Sequence, residues 1–273
     1  MLVEKAYAKL NLALDVTGKR NDGYHDLEMI MVSLELHDVL TFEPYERIVL
    51  NCNVDIHDNT VLKAAKVIQE KYKVTEGVKI TLEKNIPIGA GLGGGSSDVA
   101  ATIRGLDEFW NLNLSKQDKE ELALSLGSDT LFSLYGDPAY VTGRGEHMEF
   151  LKPIHIPFVY LYPSLIEVST KTIFENHEIK KPEIPFESLV YDYQNQIFDR
   201  FNEKSYNALT PTTLKVYPAL KSHVKMLKKI DPNVKMTGSG STFYSILFNP
   251  DDEALLKKLL KNSVNFIKTQ TKA

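Results

Sequence analysis

Apolar and polar residues alternate from Ala6 to Leu14. Ala6, Ala8, Leu10, Leu12 and Leu14 fall on one face and Tyr7, Lys9, Asn11 and Ala13 on the other. Successive side chains of a strand point to opposite faces, so the pattern predicts a strand with one buried face and Lys9 beside Asn11 on the other. Val78, Ile80 and Leu82 alternate with Lys79, Thr81 and Glu83 and predict a second half-buried strand. The period then lengthens. Val99, Ile103, Leu106 and Trp110 recur at helical intervals, with Ala100 and Phe109 beside them. Ser96 or Ser97 is the expected N-cap of this helix, and Asp98 suits its first turn. Ser115 to Asp118 has the form of a capping box, followed by a helix through Leu122, Ala123 and Leu126 that Gly127 ends. Near the C-terminus, Phe243, Ser245 and Leu247 alternate. Asp252 to Lys261 predicts a helix with Leu255, Leu256, Leu259 and Leu260 inward and its lysines in water.

Between the second strand and the first helix lies Pro87-Ile88-Gly89-Ala90-Gly91-Leu92-Gly93-Gly94-Gly95-Ser96-Ser97-Asp98, with five glycines in the seven positions 89–95. Glycine lets the backbone take positive φ and approach a ligand closely. A helix N-terminus behind it offers free N–H groups and the positive end of the helix dipole. The order strand, glycine loop, helix therefore predicts a phosphate cradle rather than a flexible linker. No Lys-Ser or Lys-Thr follows the glycines in the register of a Walker loop. Gly89, Gly91 and Gly94 satisfy the dinucleotide pattern G-x-G-x-x-G, but that pattern is weak alone. Pro87 interrupts the approach, and Asp107, the nearest acid for a ribose, falls inside the same helix.

Three further segments carry chemistry. Gly18 to His25 contains the tight-turn pair Asp22-Gly23, followed by Tyr24 and His25. Asp129 follows Gly127-Ser128, past a helix end, where an aspartate is ordinarily a turn residue or a cap. Met236 to Phe243 forms a second glycine-rich turn.

Together these segments resemble the GHMP kinases, small-molecule kinases whose glycine loop is unrelated to the Walker type. The resemblance lies in Ala8-Lys9-Leu10-Asn11-Leu12, in Pro87 to Asp98 and in Met236 to Phe243, so it spans nearly the whole chain. It implies an α+β, two-domain fold, with an N-terminal domain like the second domain of ribosomal protein S5, a ferredoxin-like C-terminal domain and an active site between them. The residues align with 1–153 as the ATP-binding domain and 154–273 as the second, the Pro-containing stretch 152–157 being the boundary. It implies ATP and Mg²⁺ as cofactors, with Pro87, Ile88, Gly89, Ala90, Gly91, Leu92, Gly93, Gly94, Gly95, Ser96 and Ser97 holding the nucleotide. Lys9 and Asp129 are the implied catalytic pair, Asp129 as base. Asn11, Tyr24, His25, Thr170, Phe174, Gly238 and Ser239 are the implied substrate contacts.

The turn Asp22-Gly23-Tyr24-His25 marks the branch of the family that acts on a cytidine diphosphate-linked polyol, its aromatic pair flanking the base. A kinase of another small alcohol, or a non-catalytic ligand sensor, are the alternatives. Gly136, Ala139 and Gly143 to Glu146 also follow the family. One departure stands out: where the family has Gly-Ala-Asp-Val-Pro, this chain has Gly127-Ser128-Asp129-Thr130-Leu131. The missing proline removes a fixed φ and a restraint on its neighbour, which predicts a less constrained Asp129.

Composition narrows the partners. The chain has 273 residues, 43% of them hydrophobic, enough for a sizeable core. A net charge of −4 gives no electrostatic case for nucleic acid. The single cysteine, Cys52, excludes an internal disulfide and, with no signal peptide apparent, predicts a cytoplasmic protein. No apolar run is long enough to predict a membrane span, and the seven histidines lack zinc-ligand spacing.

Overall fold

The computed structural model describes residues 1–182, 184–260 and 264–272. Its two longest strands, β1 (Leu2–Lys19) and β2 (His25–Tyr45), form a hairpin. The turn is closed by the Arg20 N–H donating to the Tyr24 carbonyl at 2.8 Å. The chain folds into two compact units, and both strands contribute to each. The units are therefore interleaved in sequence, whereas the division at 153/154 is a single cut.

The first unit comprises residues 1–9, 36–88 and 93–136. It contains β3 (Val49–Cys52), α1 (Thr60–Lys71), β4 (Gly77–Glu83), α2 (Gly94–Phe109), α3 (Lys116–Leu126) and α4 (Thr130–Tyr135). β4 pairs antiparallel with the second half of β2, from Val39 opposite Glu83 to Tyr45 opposite Gly77, and parallel with β3. α2 packs against α1, α3 and α4. Its predicted stripe is buried at Val99, Ala100, Ile103 and Leu106. The capping box at Ser115 and Asp118 forms as predicted, and Gly127 ends α3.

The second unit comprises residues 10–35, 89–92 and those from Asp137 onward. β5 (Ala139–Gly143) pairs with β2 from Met31 opposite Ala139 to Leu27 opposite Gly143, and β6 (His147–Phe150) pairs with β5. Next come β7 (Phe158–Tyr162), α5 (Thr170–Glu175), α6 (Phe186–Gln194), α7 (Phe198–Lys204), α8 (Thr210–Val216) and α9 (Leu220–Ile230). β8 (Lys235–Met236), β9 (Phe243–Leu247), α10 (Pro250–Leu260) and β10 (Ile267–Thr269) complete the chain. An antiparallel sheet has the order β10-β7-β9-β8.

In α10, Leu256 and Leu260 are buried as predicted, but Leu255 and Leu259 are 57% and 45% exposed. The buried stripe of this helix is narrower than the leucine spacing implied: Leu256 and Leu260 lie one turn apart on one face, and their neighbours turn outward. Lys261, the predicted end of the helix, lies outside the described residues. Among the described residues no helix is long and apolar enough to cross a membrane.

Candidate active site

Lys9 projects from β1 and is 4% exposed, so the face it shares with Asn11 is not a solvated one. Its ammonium lies 3.6 Å from Asp129 Oδ2, and the Asp129 side chain is about one-third exposed, at 32%. Asp129 occupies the N-cap position of α4, and its carbonyl accepts the Ser133 N–H at 3.0 Å. Its carboxylate makes no capping bond, which leaves it to the ammonium and to solvent. Thr130 and Leu131 open α4 with their side chains buried. The Thr130 hydroxyl finds no hydrogen-bond partner among the described residues.

The glycine loop meets this pair at Gly93. This residue is the N-cap of α2, in the left-handed region at φ 69°. A Cβ here would stand 2.6 Å from Lys9 Cγ, so the absent side chain is what lets the loop lie against the lysine. Neither Ser96 nor Ser97 caps the helix, contrary to expectation. The amides of Gly94, Gly95 and Ser96 precede the first intrahelical bond, from Ser97 N–H to the Gly93 carbonyl at 2.9 Å, and are available to an anion. Ser97 is buried, and its hydroxyl donates to the Tyr7 carbonyl at 2.6 Å. Its contribution is to the loop's seating.

Asp98 also departs from its predicted first-turn role. It turns inward, where Lys84 Nζ donates to Asp98 Oδ2 at 2.7 Å and to Asp38 Oδ2 at 2.5 Å. Asp38 Oδ1 accepts the Asn85 and Ile86 N–H groups at 2.5 and 2.8 Å, which ties the approach to the loop to β2. Burial pushes the Asp98 carboxyl above the ordinary aspartate range, against the pull of Lys84. Burial also opposes the charge on Lys84, but the two carboxylates outweigh it and its pKa is raised. Asp107 accepts the Leu114 N–H at 2.8 Å and pairs with Lys119 at 2.6 Å, so it serves the turn after α2 and not a ribose.

The loop's earlier part belongs to the second unit. Ala90 and Leu92 are buried there. The Ala90 carbonyl accepts the Thr242 N–H at 3.3 Å and the Gly91 carbonyl accepts the Thr237 hydroxyl at 3.4 Å. These bonds join the two glycine-rich turns. Asn11 joins the same group: its Oδ1 accepts the Gly238 N–H at 3.1 Å, and its own N–H donates to the Thr237 hydroxyl at 3.1 Å. Asn207 Nδ2 donates to the Met236 and Gly238 carbonyls at 2.9 and 2.8 Å. Nothing in the sequence pattern singles out Asn207.

α5 gathers the remaining predicted contacts. Thr170 and Phe174 are one turn apart and so share a face. The Thr170 hydroxyl lies 2.8 Å from that of Ser239. Phe174 stacks on His25, with centroids 5.2 Å apart and planes at 29°. Burial, and then Lys19, lower the His25 pKa and favour the neutral ring, which can both donate and accept. Tyr24 stands apart from this stack, half exposed beneath the Arg144 guanidinium at 4.4 Å. His25 thus faces Phe174, 149 residues on, rather than its sequence neighbour.

Residues 59–137 match the family described as "GHMP kinases N terminal domain", which is a class of small-molecule kinases. A relative from Thermoanaerobacter pseudethanolicus, named 4-diphosphocytidyl-2-C-methyl-D-erythritol kinase, is 40% identical over 96% of this chain and 93% of its own. A crystal structure of 4-(cytidine 5'-diphospho)-2C-methyl-D-erythritol kinase superimposes with a TM-score of 0.83 at 28% identity, covering 100% of both chains. A crystal structure of mevalonate kinase gives a TM-score of 0.69 at 17% identity over 99% of each chain, a likeness of fold. The chain belongs to the 4-diphosphocytidyl-2-C-methyl-D-erythritol kinase family, and its α+β architecture is the GHMP kinase fold.

Proposed function

We propose that this chain transfers the γ-phosphoryl group of ATP to the 2-hydroxyl of 4-diphosphocytidyl-2-C-methyl-D-erythritol, a step of the non-mevalonate route to isoprenoid precursors. The observation that carries the reading is the 3.6 Å Lys9–Asp129 pair, with the lysine stem against the glycine that opens α2. In this reading Asp129 accepts the proton of the attacking hydroxyl as its oxygen bonds to the γ-phosphorus. The bond from that phosphorus to the β–γ bridging oxygen breaks, and ADP leaves. Lys9 orients the carboxylate through their ion pair and steadies charge on the phosphoryl oxygens. The amides of Gly94, Gly95 and Ser96 receive phosphate, within a nucleotide loop of residues 87–97.

Mg²⁺ enters with ATP as part of the substrate. Such an ion is held mainly by phosphate oxygens and water, with one or two carboxylates at most. Among the described residues no group of three or more His, Cys, Asp or Glu could hold a metal ion. On the acceptor side, cytosine extends the His25–Phe174 stack, and Asn11, Thr170, Gly238 and Ser239 contact the rest of the substrate. Tyr24 lines the rim.

A coupled ADP-release assay with three acceptors tests the proposal. Turnover with the cytidine diphosphate-linked polyol, and none with homoserine or mevalonate, is the expected result. Turnover with either of the other alcohols, or ligand binding without turnover, would overturn it.

A further inference from the structure

We propose that Arg104, together with Ser97, is a positioning residue that holds the Lys9–Asp129 pair in register; this rests on the catalytic reading of that pair. The two residues are seven apart on α2, two helical turns, and so share a face. Each reaches both elements that carry the pair. Ser97 Oγ donates to the Tyr7 carbonyl of β1 at 2.6 Å and lies 3.3 Å from Ser133 Oγ of α4. Arg104 Nε donates to Glu4 Oε2 at 2.9 Å and Nη2 to the Lys5 carbonyl at 2.9 Å, both on β1. Its Nη1 donates to the Ser133 and Leu134 carbonyls of α4 at 3.2 and 3.3 Å.

The contacts fall two to five residues before Lys9 on β1, and four and five residues after Asp129 on α4. The last intrahelical acceptor of α4 is the Phe132 carbonyl, which takes the Gly136 N–H at 2.8 Å. Ser133 and Leu134 therefore present carbonyls that need an outside donor, at the negative end of a short helix. A guanidinium supplies several donors in one rigid plane, which an ammonium does not. In this chain the restraint matters more than usual, because Thr130-Leu131 replaces the Val-Pro that would stiffen the turn from within. The α2 clamp fixes Asp129 from outside its own loop.

The test is steady-state kinetics on Arg104→Ala and Arg104→Lys, with Asp129→Asn as control and thermal melts to confirm folding. Arg104→Ala is expected to lower kcat roughly 10- to 100-fold, the effect of a displacement near 1 Å. KM for both substrates should stay within about twofold, since binding groups are untouched. Millimolar guanidinium should recover part of the lost kcat in Arg104→Ala and none in the wild type. A folded Arg104→Ala enzyme with wild-type kcat, or one whose kcat loss guanidinium leaves unchanged, overturns the clamp. If Arg104→Ala does not fold, Arg104→Lys decides: lowered kcat at unchanged KM supports the clamp and unchanged kcat overturns it. Wild-type turnover in Asp129→Asn would instead remove the catalytic reading.

Discussion

Replacing Gly93 by alanine perturbs the point where the glycine loop meets Lys9, the proposed catalytic lysine. Gly93 sits at φ 69° and ψ 18°, where an L side chain costs roughly 1–2 kcal/mol. The new Cβ would also lie 2.6 Å from Lys9 Cγ and 3.2 Å from Cε. Carbon atoms settle at about 3.5–4.0 Å, so the lysine stem must retreat by about 1 Å. Lys9 is buried and ion-paired, so that retreat moves its ammonium relative to Asp129. A shift of this size costs on the order of 100-fold in rate, or about 2.7 kcal/mol in barrier. Gly95→Ala is the internal control. Its nearest contact is Thr60 Oγ1 at 3.7 Å and it lies within α2, so the exchange should raise stability by up to about 1 kcal/mol. Urea unfolding and steady-state kinetics on both variants give the comparison. Wild-type kcat and stability in Gly93→Ala, or equal destabilisation by Gly95→Ala, would refute the reasoning.

Three other perturbations have defined outcomes. Phe174→Ala removes a ring from the stack with His25 and should raise KM for the cytidine-linked substrate by about 5- to 150-fold, matching 1–3 kcal/mol of base stacking, with kcat little changed; an unchanged KM would place the base elsewhere. Thr130→Val removes a buried hydroxyl that has no partner among the described residues and should raise stability by about 1 kcal/mol in chemical denaturation, whereas a loss would mean the hydroxyl is satisfied. Burial raises the folded-state pKa of Asp98 from 3.8 to about 7, so its stabilising contribution is complete below the lower value and fades as pH rises through the upper. The stability of the wild type relative to Asp98→Asn should therefore fall between those two pH values, and a flat or rising difference would contradict the assignment.

The strand β1 is legible in the alternation of Ala6 to Leu14, although both its faces are buried from Ala8 to Val16, and the apolar stripe of α2 and the capping box of α3 are legible as well. These are local patterns, set by which face is buried. Leu255 and Leu259 of α10 face outward for the same reason, because leucine spacing reports a candidate face and not its width. The Lys9–Asp129 pair could be reached only through family resemblance, since 120 residues separate its members and no periodicity links them. The Asp38–Lys84–Asp98 cluster was hidden for that reason too. Asp98 looked like a helix-start acid, yet burial beside a lysine 14 residues away turned it inward. Ser97 looked like an N-cap, but a left-handed Gly93 took that position and freed the hydroxyl for β1. Arg104 had one visible sign, as the only basic residue in α2. The interleaving of the units arises because β1 and β2 are long enough to serve both, a property of pairing that a linear division cannot express.

The central claim is that Asp129 is the base of a phosphoryl transfer to a cytidine diphosphate-linked polyol. Its most direct test is kcat for that acceptor with ATP in wild type and Asp129→Asn, on protein whose melting shows both to be folded. A loss of about 100- to 10,000-fold with ATP binding retained is the predicted result. Turnover by Asp129→Asn at the wild-type rate would contradict it.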